Sequence, residues 1–436
     1  MKKSLKLPLI IILTIAVIAG SFFAGFFVHK NLVYDSSFKW ACETIDKYYY
    51  YSDGSYDYST VALKGIADKY LDQYSAYYTP QEYEALVRSN SGSKSGLGVS
   101  YMFVKGRGVY ISSVIGNSPA YMCGLRAGEW LKSGGIKGES QTEFTSSDNF
   151  SSLISKATES DELVFTSVDD ESFTLSKSEY TASYAYMATR SSGWVFKSSA
   201  DGGLAMYEES GEKLTYLPEG FAYIKLSQFY GTATSEFYKL IEKFNSMNCT
   251  SLIIDLRSNG GGYVNVMQGI AGCFAPDSAT VAMISRDKYG NEERFPCERP
   301  TAASKVSKNV KVYALANNGT ASASEALLGA LICYGALDYS DIYLSEYGSE
   351  YLSQIGSAQG AKNAQTYGKG IMQTTYVNSK TNEALKLTTA KIYWPDGTTC
   401  IHDTGIKGNG CKSVATDWEF TKGDTELQKV VSLIDS

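Results

Sequence analysis

Histidine is nearly absent from this chain: its 436 residues include only two, His29 and His402. His29 closes an apolar segment, which leaves His402 alone to face a soluble site. A multi-histidine metal centre is therefore excluded, and a Ser-His-Asp triad has one imidazole to draw on. Positive charge is also short. With 40 Lys and Arg against 46 Asp and Glu, the net charge is −6. Phosphate binding needs a basic excess, so no nucleic-acid partner is expected. The 8 cysteines are an ordinary fraction and contain no Cys-x-x-Cys, which rules out a disulfide scaffold. Also missing are a Gly-x-Ser-x-Gly elbow, the Lys-Ser/Thr of a P-loop and the Gly-x-Gly-x-x-Gly of a dinucleotide site.

What is present is an ordinary globular mix, 44% apolar and 20% charged. The length predicts two to four units at roughly 100–200 residues each. At the amino terminus Lys2, Lys3 and Lys6 precede an uncharged run from Leu7 to Val28. As a helix that run rises about 33 Å, enough to cross a bilayer core of about 30 Å. It is longer than the apolar stretch of a cleavable signal, and Phe22, Phe23, Phe26 and Phe27 crowd its distal end. It is read as a retained signal anchor, with a cleaved signal as the alternative. The basic residues on its short side place the remainder outside the cytoplasm.

Beyond the anchor, residues 35–87 carry helical periodicity, with Phe38, Ala41, Cys42 and Ile45 on one stripe and Leu63, Ile66, Ala67 and Tyr70 on another. Thr79-Pro80-Gln81-Glu82 predicts an N-cap, a first-turn proline and a capping-box glutamate. The polar stretch Ser89 to Ser95 predicts a boundary. Strands are expected at 99–104 and 109–115, a short helix opens at Ser118-Pro119-Ala120, and 148–156 reads as a further helix. From about residue 180 strands and helices alternate: 223–226, 234–244, 252–256, a helix ending at Phe274, 310–316, 322–334, and a last helix over 424–434. That alternation predicts an α/β domain with a largely parallel sheet.

Four constellations could carry chemistry. Asn317 to Glu325 joins an apolar strand to a helix of small residues, and Thr320, Ser322 and Ser324 lie where free N–H groups and positive potential meet. A nucleophile and an oxyanion hole are conveniently built together there, although a Ser/Thr run at a helix start taken alone reads as an N-cap. Asp255 to Gly262 ends in three glycines, which let backbone N–H groups face an anion or simply make a tight turn. Lys369 stands between two glycines in Tyr367 to Gln373, either solvated or drawn inward. A lysine acting as base must be neutral, and moving its reference pKa of about 10.4 to about 7 takes roughly 4–5 kcal/mol of desolvation. Cys400, His402 and Cys411 lack a fourth ligand, so no metal is expected, while an exported location permits a Cys400–Cys411 disulfide.

In order and type these motifs resemble the carboxyl-terminal processing, or tail-specific, proteases, Ser/Lys endopeptidases that carry a PDZ domain. Leu71 to Tyr78 is similar to that family's amino-terminal helical segment. Gly96-Leu97-Gly98-Val99 is similar to a PDZ carboxylate-binding loop, and Ser118 to Gly128 to the PDZ helix and turn. Asp255 to Gly262, Ser322, Lys369 with Gln373, Lys386 to Ala390 and Tyr393 to Gly397 resemble the protease core.

The resemblance implies a mixed α/β, multidomain chain: a transmembrane anchor (1–30), a helical segment (31–90), a PDZ domain (91–180) and a Ser/Lys protease core (181–436). It implies Ser322 as nucleophile, Lys369 as general base and Gln373 orienting the lysine. Ala323 and Gly261 or Gly262 would supply the oxyanion-hole N–H groups, and Gly96 to Val99 would grip a substrate's carboxyl terminus. The implied protein is a membrane-anchored, single-pass, extracytoplasmic endopeptidase. It acts on protein tails without cofactor or metal, and no residue specifies its oligomeric state. The alternative is a catalytically silent PDZ scaffold. Ser322 and Lys369 stand farther apart in sequence than the family places them, and the excess is read as an insertion over about 338–366. The resemblance also departs at Lys407 to Gly410, where the family more often has a Pro-Asp pair.

Overall fold

The computed structural model of the chain describes residues 38–48, 55, 57–276, 280–348, 363–416 and 424–435. The apolar run Leu7 to Val28 lies outside these. Among the described residues no helix is long and apolar enough to cross a membrane. Two compact units are present, Met1–Tyr77 and Tyr78–Ser436. The first contains a helix over 38–48 and the helix Tyr58–Tyr70, whose N-cap Asp57 accepts from Thr60 N at 3.0 Å.

The second unit opens with the helix Pro80–Asn90, started as its sequence dictates: Glu82 N donates to Thr79 Oγ1, and Thr79 N donates to Glu82 Oε2. The polar stretch Ser89 to Ser95 ends this helix, turns and enters a strand. Ser93–Gly96 pairs antiparallel with Ser178–Thr181, and this ribbon ties the two ends of a small module together. Inside the module an antiparallel sheet runs in the order Val99–Val104, Gly108–Val114, Trp130–Ile136, Leu163–Ser167, Ser172–Leu175, and Thr142–Glu143 pairs with the third strand. Pro119–Met122 and Ser147–Lys156 are its helices. Val109, Ile111, Leu131, Phe150, Leu163 and Phe165 fill its core.

The larger part of the unit is built on an eight-stranded sheet. Phe221–Leu226, Ser251–Asp255, Lys311–Ala316, Ile342–Tyr347 and Lys412–Thr416 lie side by side and parallel. Ala185–Ala188, Gly193–Ser198 and Leu204–Glu209 extend it antiparallel. Both faces are covered, which explains consecutive apolar residues such as Leu252-Ile253-Ile254. Leu252 and Ile254 pack on one side with Phe237, Leu240 and Ile241 of the helix Ala233–Ser246, Met267 and Ile270 of Val264–Gly272, and Leu327 and Leu331 of Ala323–Cys333. Ile253, Leu315, Tyr343 and Val414 pack on the other side with Leu427, Val430 and Val431 of the carboxyl-terminal helix Thr425–Ile434. Burying each such side chain contributes about 1.5–3 kcal/mol.

A second sheet joins Val281–Asp287 to Glu292–Pro296 and to Ala384–Tyr393, which also pairs with Ile371–Val377.

One expectation needs correction. Residues 338–347 are not part of a surface insertion, because Ile342, Tyr343 and Leu344 are buried as a strand of the central sheet; residues 349–362 lie outside the described residues. After the strand Ala384–Tyr393, Trp394 to Gly397 form a turn, with Asp396 Oδ1 accepting from Thr398 N and Thr399 N, while the buried Trp394 ring sits against Gly329. Cys400 and Cys411 are both free thiols. No group of three or more His, Cys, Asp and Glu side chains that could hold a metal occurs among the described residues.

Candidate active site

The carboxyl ends of the parallel strands are where an open α/β sheet places its ligands, since strand order leaves a crevice there. Strand Lys311–Ala316 ends in a turn that leads to Ser322, and the helix begins at Ala323. The helix is buried nearly all round, which suits its run of Ala and Leu at the molecule's centre. Ser322 occupies the N-cap position, but not in the extended conformation an ordinary cap adopts: its φ is 57° and ψ −115°. A non-glycine residue there costs about 1–3 kcal/mol and persists only when its surroundings force it.

Those surroundings are specific. Thr320 Oγ1 donates to Leu256 O (2.8 Å), Ala321 N to Asn259 O (3.0 Å) and Ser324 Oγ to the same carbonyl (2.8 Å). The serine turn is thus laced to the glycine turn that follows strand Ser251–Asp255. Gly261 (φ 97°) is pressed against that turn. A Cβ at this position would lie 2.8 Å from Ala321 O and 2.9 Å from both Ala323 N and Ser322 Cβ, so only glycine fits. Gly261 and Ala323, both named from the sequence, are therefore brought together, and the choice left between Gly261 and Gly262 narrows. Gly261 N–H is spent on Asn259 Oδ1 at 3.0 Å. Ala323 N, a first-turn donor of the helix, and Gly262 N are the pair that could meet an anion.

Lys369 is half-buried between two glycines, and the reason for those glycines is now visible. A Cβ on Gly368 would stand 2.9 Å from Gly405 N, and one on Gly370 would stand 2.6 Å from His402 N. The loop 402–405 is thus packed directly on the lysine's backbone. His402 lies beside this segment, its Nε2 3.6 Å from Asp403 and its Nδ1 buried without a partner. Gln373 follows a register shift in strand Ile371–Val377 and donates its Nε2 to Thr388 Oγ1 at 3.1 Å. One hydrogen of the Gln373 carboxamide is thus engaged by Thr388.

Glu325 joins the two halves of the site. It is fully buried, and its Oε2 accepts from both Ser322 N and Lys369 N, each at 2.9 Å. Its Oε1 accepts from Thr366 Oγ1 (2.5 Å) and Gly368 N (2.8 Å). Sharing one oxygen holds the Ser322 and Lys369 backbone nitrogens within about 6 Å of each other, although the two residues are 47 apart in sequence. Burial pushes the Glu325 carboxyl above its usual range, opposed by these four hydrogen bonds. Sequence reasoning did not single out Glu325, Asn259 or Thr366. The Ser-x-x-Glu capping-box pattern at 322–325 was the available signal for the first.

In the small module, Leu97 is buried and its carbonyl accepts from Ala120 N (3.0 Å), while Gly98 O accepts from Ile115 N (2.8 Å). Gly98 packs on Ser118, leaving no room for a side chain. Gly96 ends the ribbon, and Val99 begins the sheet's edge strand. That strand meets helix Ser147–Lys156 through the Tyr101 and Phe150 rings, with centroids 4.4 Å apart.

Residues 220–336 match the model of Peptidase family S41, a span that holds the glycine turn and Ser322 and ends before Lys369. A protein of Staphylococcus saprophyticus named as a CtpA-like serine protease is 25% identical over 364 residues, covering 84% of this chain and 62% of that protein's length. A protein of Staphylococcus haemolyticus with the same description is 25% identical over 395 residues, covering 88% of this chain and 68% of that one. This chain therefore spans less than two thirds of the first relative's length. An S41-type structure from Bacteroides fragilis shares the fold, with a TM-score of 0.52 and 15% identity over 80% of this chain and 87% of that one. These similarities bear out the resemblance to carboxyl-terminal processing proteases.

Proposed function

We propose that this S41-type chain is a serine endopeptidase that hydrolyses peptide bonds near the carboxyl termini of exported proteins. Ser322 Oγ attacks the scissile carbonyl while the neutral Lys369 amine takes its proton. The carbonyl oxygen, now negative, receives hydrogen bonds from Ala323 N and Gly262 N. Collapse of the tetrahedral intermediate expels the amine product, which is protonated by the lysine, and leaves an ester on Ser322. Water then repeats the sequence and frees the acid. Gln373 acts on the lysine side of the site through its remaining carboxamide oxygen. The single observation that carries this reading is Glu325, one buried carboxylate oxygen accepting from both Ser322 N and Lys369 N.

The small module acts as a PDZ domain. A substrate tail adds as a strand on the open edge of Val99–Val104, with its carboxylate at the Gly96–Gly98 backbone. The run Leu7 to Val28 anchors the protein in the cell membrane with the catalytic part outside the cytoplasm. Membrane fractionation and protease accessibility of intact cells test that placement, and a protein found in the cytosolic fraction would contradict it.

For the reaction, the purified full-length chain is incubated with an unstructured protein substrate. Cleavage is expected near the carboxyl terminus, and it should slow when that terminus is amidated. Ser322→Ala should abolish turnover. Undiminished cleavage by Ser322→Ala would refute the assignment of the nucleophile.

A further inference from the structure

The geometry points to Asn317, tied to the Tyr347 hydroxyl, as a positioning residue for the turn that presents the oxyanion hole. This inference rests on the function proposed above and concerns residues that touch neither substrate nor reacting atoms.

The glycine turn leaves its strand through Ser258, which has a φ of 61°, a conformation that a side-chain-bearing residue does not hold unaided. What holds it is Asn317. The Asn317 Oδ1 accepts from Ser258 N (2.8 Å) and Gly319 N (2.9 Å). Its Nδ2 donates to Ser258 Oγ (3.2 Å) and to Tyr347 OH (2.8 Å). All four hydrogen-bonding positions of this buried carboxamide are therefore used. Oδ1 is common to the glycine turn and the serine turn, so one side chain sets the spacing between them.

Two backbone N–H groups decide which way the carboxamide faces, and Tyr347 completes its hydrogen bonding. A reversed Asn317 would set its NH2 against two backbone N–H groups. The Tyr347 hydroxyl accepts the second Nδ2 hydrogen, which this buried carboxamide would otherwise leave stranded, and so ties Asn317 to the end of the strand Ile342–Tyr347. Tyr347 is well placed to act on the whole site. It ends the strand Ile342–Tyr347, and its backbone is clamped to Asn363, with Tyr347 N donating to Asn363 Oδ1 (2.7 Å) and Asn363 Nδ2 to Tyr347 O (3.0 Å). From Asn363 the chain runs to Thr366, Gly368 and Lys369, the segment bound by Glu325. Tyr347 thus sits where the lysine limb starts and reaches the oxyanion turn through one intermediary.

The test uses the full chain and the variants Tyr347→Phe, Asn317→Ala and the double variant. Tyr347→Phe keeps the ring and removes only the hydroxyl. We expect kcat to fall about tenfold with KM unchanged and Tm within a few degrees of wild type, a fraction of the effect of losing an oxyanion donor outright. In the Asn317→Ala background the same change should cost nothing further, because the hydroxyl acts through Asn317. Hydrogen–deuterium exchange gives a readout independent of activity: the peptide spanning 256–263 should exchange faster in Tyr347→Phe, and peptides from the helix Ala233–Ser246 should not. Unchanged exchange over 256–263, or an equal loss of kcat in both backgrounds, would overturn the inference. A wild-type chain that cleaves nothing while 256–263 still loosens in Tyr347→Phe would instead count against the proposed function alone.

Discussion

Ser322 at φ 57° and Glu325 beneath it are two ends of one device. The strained serine is held by a carboxylate that also holds the lysine's backbone. Glu325→Gln, nearly the same in shape, is expected to fail. Either orientation of the amide sets its NH2 against a backbone N–H donor, Ser322 N and Lys369 N in one and Gly368 N in the other. A stability loss of about 2–3 kcal/mol follows from the stranded donors. Chemical unfolding should show it together with a kcat reduced by at least about tenfold. A Glu325→Gln enzyme with wild-type kcat would remove Glu325 from the positioning of the site.

The serine, lysine and glycine motifs could be picked out of the sequence by their order, since each alone reads as an ordinary cap, loop or turn. The partners could not. Gly261 loses its N–H to Asn259, two residues before it, and Gln373 gives its amide to Thr388 after a register shift. Neither local bond alters the spacing of the motif from which roles are read.

At the scale of elements, the sheet strands and their helices were legible from apolar runs and caps, and most expected elements appear within a few residues of their predicted bounds. The strand Ile342–Tyr347 was missed as core because its apolar residues are followed by a Ser/Gly/Gln-rich stretch that reads as loop throughout.

The carboxyl-terminal helix is docked by charge as well as by Leu427 and Val431. Asp255, fully buried at the end of its strand, accepts from Tyr223 OH (2.6 Å), Arg257 N (2.8 Å) and Lys225 Nζ (3.0 Å). Arg257 reaches on to Asp424, the N-cap of the helix, and to Glu426 at 3.2 Å. Burial alone would raise the Asp255 carboxyl, but the Arg257 and Lys225 charges outweigh it and hold it well below the usual carboxylate range. A depressed folded pKa gives stability that is complete above the unfolded value of about 3.9 and is lost as pH falls below it. Acid titration of unfolding should show that loss. Asp255→Asn should cost roughly 3–5 kcal/mol at neutral pH by leaving the cations short of their partner, and should flatten this part of the acid profile. An Asp255→Asn chain as stable as wild type would show that the network does not dock the helix.

At the scale of the molecule, the small module and the α/β core belong to one compact unit, with the module's ends fastened by the ribbon Ser93–Gly96 and Ser178–Thr181. The sequence showed the small antiparallel module preceding the α/β core through its short strands and capped helices. The ribbon was not legible, since its partners are far apart in sequence and both are polar. Histidine scarcity gains a meaning here. His402 packs its backbone beside Gly370, and the account assigns the proton transfer to Lys369 rather than to an imidazole.

That assignment is tested most directly by the rate at which a fluorophosphonate labels the protein, with the modified residue located by mass spectrometry. The adduct is expected on Ser322 in the wild-type chain, and Lys369→Ala should slow its formation by at least about a hundredfold, the scale of a lost general base. An adduct on another residue, or labelling of Lys369→Ala at the wild-type rate, would contradict the account.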